Sequence, residues 1–146
     1  MKVLIADYKK CIGCRICEQW CSITHFNVLN PKKSRISVTR SHSVFNDYPV
    51  ACHQCVDAPC IEACPDKVQA LSRDEKTGAI KVDAEKCIAC RLCLKTCPYN
   101  AIKVHPTEKY VLICELCGGD PQCVKHCPEE ALLFLEREEA GKFYQA

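Results

Sequence analysis

Sixteen of the 146 residues are cysteine, and they fall into four groups of four. Group I is Cys11, Cys14, Cys17 and Cys21, with gaps of two, two and three residues. Group II is Cys52, Cys55, Cys60 and Cys64, with gaps of two, four and three. Group III, Cys87, Cys90, Cys93 and Cys97, repeats the gaps of group I, and group IV is Cys114, Cys117, Cys123 and Cys127, with gaps of two, five and three. Pro65, Pro98 and Pro128 directly follow the last cysteine of groups II, III and IV. This thiol density constrains the fold more than hydrophobicity does. Of the 48 % hydrophobic content, cysteine alone makes up about 11 %, and the remaining 37 % or so is thin for a chain stabilised by apolar burial alone. A cross-link must supplement it, disulfide or metal.

The spacing decides between the two. C-x2-C-x2-C puts three thiols on one short loop, too close and too many for bridges, which argues against a secreted disulfide scaffold. Structural zinc uses paired C-x2-C knuckles separated by longer intervals, and a third cysteine two residues on does not match them. The run C-x2-C-x2-C-x3-C-P is similar to the bacterial ferredoxin signature for 4Fe–4S clusters. In that arrangement the first three cysteines converge on one cluster, and the fourth reaches its neighbour.

The chain repeats itself. Asp7–Cys17 lines up with Asp83–Cys93 at an offset of 76, and group II lines up with group IV with one extra residue. This reads as a duplicated two-cluster unit. Tandem copies would pair group I with II and III with IV. The segment between Cys64 and Cys87 argues otherwise: Ala70–Asp83 reads as two short strands around a polar turn containing Gly78, a hairpin. Groups II and III then form a central unit over 52–97, and groups I and IV an outer unit over 1–21 plus 114–135, all within one module spanning 1–146. The expected ligand sets are Cys52, Cys55, Cys60 with Cys97; Cys87, Cys90, Cys93 with Cys64; Cys11, Cys14, Cys17 with Cys127; and Cys114, Cys117, Cys123 with Cys21.

Strands are expected at Val3–Ala6, Arg35–Thr39, Ile80–Val82, Ala101–Val104 and Ala131–Leu135, with short helical turns such as Ile61–Cys64 and Leu94–Cys97. Residues 22–51 read as an inserted strand and loop, Asn30–Ser34 as a turn, and Glu136–Ala146 as a solvated tail or a docking arm. The fold class is α+β: a duplicated bacterial-type ferredoxin, short hairpins and short helices around four 4Fe–4S clusters.

The four groups, their order, and the phrases Cys52-His-Gln-Cys-x4-Cys-x3-Cys-Pro65 and Cys114-Glu-Leu-Cys-Gly-Gly-Asp-Pro-x-Cys-x3-Cys-Pro128 resemble the four-cluster ferredoxin subunits. These are electron-transfer subunits of molybdenum or tungsten oxidoreductases, hydrogenases and carbon monoxide dehydrogenases. The resemblance covers nearly the whole chain and implies the nested ligand sets above. The chain's economy and its Gly118-Gly119-Asp120-Pro121 phrase look most like the small subunits of tungsten aldehyde oxidoreductases or carbon monoxide dehydrogenase. Ser22 stands where the pattern puts a proline after Cys21. The resemblance implies a non-catalytic subunit that exchanges electrons with a catalytic pterin subunit and a further carrier or flavoprotein. Formate dehydrogenase, hydrogenase and carbon monoxide dehydrogenase partners, a free carrier, and copies stacked end to end remain the alternatives.

Other residues carry less. The 20 basic and 18 acidic residues form no block of one sign, so no nucleic-acid footprint is visible. No apolar run reaches the length of a membrane span, and the run at Val3–Ala6 is short for a signal peptide, so a cytoplasmic, anaerobic setting is expected. His53 and His126, each beside a cysteine, read as surface or supporting groups. His25, His42 and His105 lie in linkers without a catalytic spacing, and Trp20 reads as packing beside a cluster. Gly118-Gly119 reads as a turn, and Lys32-Lys33-x-Arg35 as a solvated loop. Lys10, Arg15, Lys86 and Arg91 are expected to raise the potentials of groups I and III.

Overall fold

The computed structural model describes residues 1–41 and 46–143, so His42 and Tyr144–Ala146 lie outside the described residues. Among the described residues, eight short strands pair as four separate two-stranded antiparallel sheets, accompanied by five α-helices and two 3-10 turns. The expected hairpin is present: β4 (Leu71–Arg73) pairs with β5 (Ile80–Val82) in the register Leu71↔Val82 to Arg73↔Ile80. Asp74 shapes its turn by accepting from the Lys76 and Thr77 amides at 3.1 and 2.8 Å. At Gly78 the backbone is left-handed (φ 71°), a conformation glycine adopts without the strain a side chain would bring, and a Cβ there would push the Met1 side chain aside.

β1 (Lys2–Ala6) and β8 (Leu132–Glu136) pair along their full length, Lys2↔Glu136 to Ala6↔Leu132. Val3, Leu4 and Ile5 are all buried because both faces of this ribbon are covered. Leu4 joins the main core, while Val3 and Ile5 pack with Ala140 and Leu135. Ala140 sits on α5 (Arg137–Ala140). The segment read as a tail or arm is therefore packed structure through its described part, fastened further by Met1 N to Glu136 at 2.6 Å and the Arg137 amide to Met1 O at 3.1 Å.

Two strands escaped the sequence reading. β2 (Ser37–Ser41) pairs with β3 (Asn46–Val50), where one strand and a loop were expected, and it begins two residues later than anticipated. Asn46-Asp-Tyr-Pro-Val50 has weak strand propensity; Pro49 is tolerated because both strands of a two-stranded ribbon have an open edge. Similarly, only Lys103–Val104 of the expected Ala101–Val104 is strand (β6), pairing with β7 (Val111–Leu112).

The one long helix also went unread. α1 (Ile16–Phe26) begins after Arg15 at φ 60° and ends at Asn27, φ 52°, whose amide donates to Ile23 O at 2.9 Å. It presents Cys17 and Cys21 one turn apart, both buried. α2 (Pro59–Glu62), α3 (Leu92–Thr96) and α4 (Gln122–Lys125) are single turns carrying Cys60, Cys93 and Cys123. Ile36, Ile80, Leu116 and Val111 form one continuous core with Cys17, Cys21, Cys52, Cys60, Cys93, Cys114 and Cys123. The core is thus built around sulfur. Among the described residues, no helix is long and apolar enough to cross a membrane.

Candidate metal centres

The loops between cysteines share one backbone device. In the first C-x-x-C step of each group the residue before the second cysteine is left-handed: Gly13 (φ 71°), Gln54 (53°), Ala89 (52°) and Leu116 (62°). Arg15 and Arg91, just after the second cysteine of groups I and III, are left-handed too. For a non-glycine residue this conformation costs on the order of 1–3 kcal/mol, and it persists only where the surroundings enforce it. Turns of this alternating hand aim successive amide N–H groups into a concavity, the geometry found around anionic groups including Fe–S sites.

All sixteen cysteines are free thiols. Cys11, Cys14, Cys17 and Cys127 line one small cavity, and Cys64, Cys87, Cys90 and Cys93 line another. Burial is the main force raising the other two groups' thiols, and neighbouring thiolates add to it. Cys97 acts on Cys52, Cys55 and Cys60 alike. Cys21 acts on Cys114, Cys117 and Cys123 alike. In each case three leading cysteines meet the fourth cysteine of a different group. Electrostatic influence also crosses between the groups: Cys60 acts on Cys93, Cys52 on Cys114, and Cys17 on Cys123.

Desolvation pushes Cys17 and Cys52 up to about 12 and Cys93 to about 11, and burial raises Cys114 well above its ordinary value. Such thiols stay protonated at neutral pH unless a cation replaces the proton. Four thiols in one desolvated pocket, with backbone amides pointed at the sulfurs, suit iron–sulfur ligation. The amide-to-sulfur bonds are Arg35 to Cys21 (3.2 Å), Gln54 to Cys52 (3.4 Å), Ala70 to Cys64 and Ala131 to Cys127 (both 3.3 Å).

Side chains outside the motifs hold the loops in place. Gln54 is buried, and its Nε2 donates to Cys114 O (2.7 Å) while its Oε1 accepts from the Ile80 amide (2.7 Å). It ties the group II loop to group IV and to β5 at once. Arg137 donates to Gln54 O at 2.6 Å, and Arg73 to Cys55 O at 2.6 Å. None of these three was singled out from the sequence. Each lies far along the chain from one of its partners, and only the presence of a long polar side chain in a cysteine loop hinted at Gln54.

Several histidine readings change. His126 takes the supporting role of the two expected: half-buried, it stacks on Trp20, ring centroids 3.5 Å apart, and the two residues directly precede Cys127 and Cys21. His53 stacks on Tyr99 at 3.7 Å, beside Cys55. His105 is buried rather than in an open linker; its Nδ1 accepts from the Glu108 amide at 3.0 Å, and it packs against Tyr110. His25 lies 3.2 Å from Glu115 and 3.7 Å from Cys117 Sγ. These three offer a donor cluster that the spacing concealed. Arg35 is likewise not in a solvated loop, since it pairs with Glu115 at 3.2 Å. Gly118 and Gly119, in the turn Leu116–Gly119, take positive φ as expected of a turn.

The fold and the donor set define a cysteine-ligated iron–sulfur electron-transport protein. Residues 44–137 match the 4Fe-4S dicluster domain, and the chain belongs to that family. It is 47 % identical over 120 residues to the aliphatic sulfonate oxidoreductase, polyferredoxin-like subunit, of Pyrococcus furiosus, covering 82 % of this chain and 68 % of that one. It is 39 % identical to the putative electron transport protein YsaA of Escherichia coli, covering 97 % and 94 % of the two chains. Electron transport protein HydN of Escherichia coli is 33 % identical, with 93 % and 89 % covered. Among solved structures, a chain of the BamBC active-site complex of benzoyl coenzyme A reductase superposes with TM-score 0.55 and 27 % identity, over 94 % of this chain and 76 % of that one.

Proposed function

We propose that the chain is a duplicated, four-cluster ferredoxin that carries electrons as the non-catalytic iron–sulfur subunit of an oxidoreductase complex. The catalytic partner on this reading is a tungsten or molybdenum pterin enzyme, with a second carrier or flavoprotein at the other end. The ligand sets are Cys11/Cys14/Cys17/Cys127, Cys114/Cys117/Cys123/Cys21, Cys52/Cys55/Cys60/Cys97 and Cys87/Cys90/Cys93/Cys64. The observation that carries the reading is the gathering of three leading cysteines with a fourth from another group, four times over.

When bound, each 4Fe–4S cluster supplies a one-electron carrier. The chain's own residues do the rest. On these sets Cys60 lies within electrostatic reach of Cys93, Cys52 of Cys114 and Cys17 of Cys123, which supports sites in series and a single path from the Cys90 end to the Cys14 end. Cys14 and Cys90 are the two exposed cysteines, and they belong to the two terminal sites. Exposed Ile12 and Ile88 flank them. These ends suit partner docking. Amides donating to Cys21, Cys52, Cys64 and Cys127 stabilise the more negative, reduced state and so raise the potential. The Pyrococcus furiosus relative's name, an oxidoreductase's polyferredoxin-like subunit, supports the subunit role.

The test is anaerobic affinity purification of the chain from its own host, with metal analysis of what co-elutes. Tungsten or molybdenum with a large subunit, and iron near sixteen atoms per chain as four cubanes require, is the expected result. Nickel in place of either assigns it to a hydrogenase or carbon monoxide dehydrogenase. Iron alone, with no partner, overturns the subunit role in favour of a free or self-assembling carrier.

A further inference from the structure

One short segment, residues 35–38, touches three groups that come from distant parts of the chain. The Arg35 amide donates to Cys21 Sγ (3.2 Å), the Ile36 carbonyl accepts from Lys103 Nζ (3.4 Å), and the Val38 amide donates to Glu18 Oε1 (2.7 Å). Glu18 is 3 % exposed, and its second oxygen is buried without a hydrogen-bond partner. Its nearest cation is Arg15 at 3.6 Å, whose own side chain is half in water. Glu18 follows Cys17 directly and precedes Cys21 by less than a turn, so it stands on α1 between residues of two different sites. A carboxylate and an ammonium are thus both fastened to this segment: the carboxylate belongs to the residue after Cys17, and the ammonium sits on the carbonyl of the residue after Arg35, whose amide bonds Cys21.

We infer that Glu18 and Lys103 form a fixed internal dipole that biases electron passage from the Cys11/Cys14/Cys17/Cys127 site toward the Cys114/Cys117/Cys123/Cys21 site. The inference rests on the ligand sets proposed above. An electron making this step moves away from a carboxylate and toward an ammonium; no bond forms or breaks and no proton needs to move. The mutual influences agree with the geometry: after burial, Glu18 is the largest cause raising Cys17, and Lys103, lowered mainly by burial, is held up by Glu18 and Cys21. The dipole works in a desolvated setting, where a charge acts more strongly than at a surface. Both groups are positioning residues, since each acts on the sites through space. Arg35 is offset by Glu115, with which it pairs, so Lys103 is the charge tested on the positive side.

The experiment is an anaerobic potentiometric titration followed by EPR on iron-replete protein. Cys14→Ser and Cys117→Ser mark which signals belong to the two sites. Glu18→Gln keeps the Val38 hydrogen bond and removes the charge; the Cys14-marked potential is expected to rise. Lys103→Met is expected to lower the Cys117-marked potential, and Lys103→Arg to leave it in place. If Lys103→Met loses iron, Glu18→Gln tests the same dipole from its other end. Unmoved potentials in iron-replete variants, or shifts of the same sign for both charge removals, overturn the dipole while leaving the ligand sets standing. Cys21→Ser perturbing a signal other than the Cys117-marked one overturns the ligand sets, and the dipole with them.

Discussion

Cys90 is exposed, yet it belongs to a tight loop whose neighbours Ala89 and Arg91 are both held at positive φ. That strain is sustained only if something fills the concavity they form. Cys90→Ala is therefore expected to lose one cluster, lowering iron by about four atoms per chain, and to lower the melting temperature with it. Unchanged iron and melting would refute the assignment. Gln54 gives a different expectation because it is no ligand. Gln54→Leu strands the Cys114 carbonyl and the Ile80 amide in the core, a loss of about 2–4 kcal/mol in an anaerobic denaturant melt, with iron retained at saturation. Every cysteine was readable as a ligand candidate from its spacing, because loop-borne ligation demands short, regular intervals. Gln54, Arg73 and Arg137 were not, because their partners lie up to 83 positions away and no local periodicity reports such a contact.

The elements that join the sites are α1 and α4, and Trp20 on α1 stacks flat on His126 just beyond α4, with 16° between the rings. On the proposed ligand sets the residues that follow, Cys21 and Cys127, each complete the site of the other's group. A double-mutant cycle of Trp20→Leu and His126→Ala is expected to show a coupling of about 1 kcal/mol in thermal or denaturant unfolding. No coupling would mean that the rings merely lie alongside each other. At this scale the sequence was a partial guide. The β4–β5 hairpin was plain because apolar alternation and the Asp-x-x-Thr-Gly turn are local signals. Strands β3 and β7 were not, since short runs containing proline or lacking alternation become strands only by pairing. α1 was hidden because two of its residues are cysteines, which were read as loop ligands. The closing segment Glu136–Phe143 was ambiguous for the same reason: its anchor, Ala140, finds its pocket only once β1 and β8 have met.

At the scale of the whole molecule, charge separates the loaded protein from the bare polypeptide. The formal charge of the chain is +2. An oxidised 4Fe–4S site with four thiolates carries about −2, so four such sites take the total to about −6. The loaded protein is expected to bind an anion exchanger at pH 7 under anaerobic conditions, and the metal-free chain to pass through it. Retention of both alike would count against four sites.

The cofactor class follows from the order of residues alone, because a cysteine can share a cluster with another only two or three positions away if the loop itself makes the fit. Which group lends its fourth cysteine to which site is a different matter. The spacing and the linker hairpin suggested an answer but left the tandem pairing open, since identical motifs are locally interchangeable. Chain closure brings Cys127 beside Cys11 and Cys21 beside Cys123, through the β1–β8 ribbon and the packing of α1 on α4. The same holds for Glu18 and Lys103, 85 positions apart and neighbours only across residues 35–38. Local chemistry is written in local spacing; the meeting of distant charges and distant sulfurs depends on tertiary packing, because no short-range pattern encodes it.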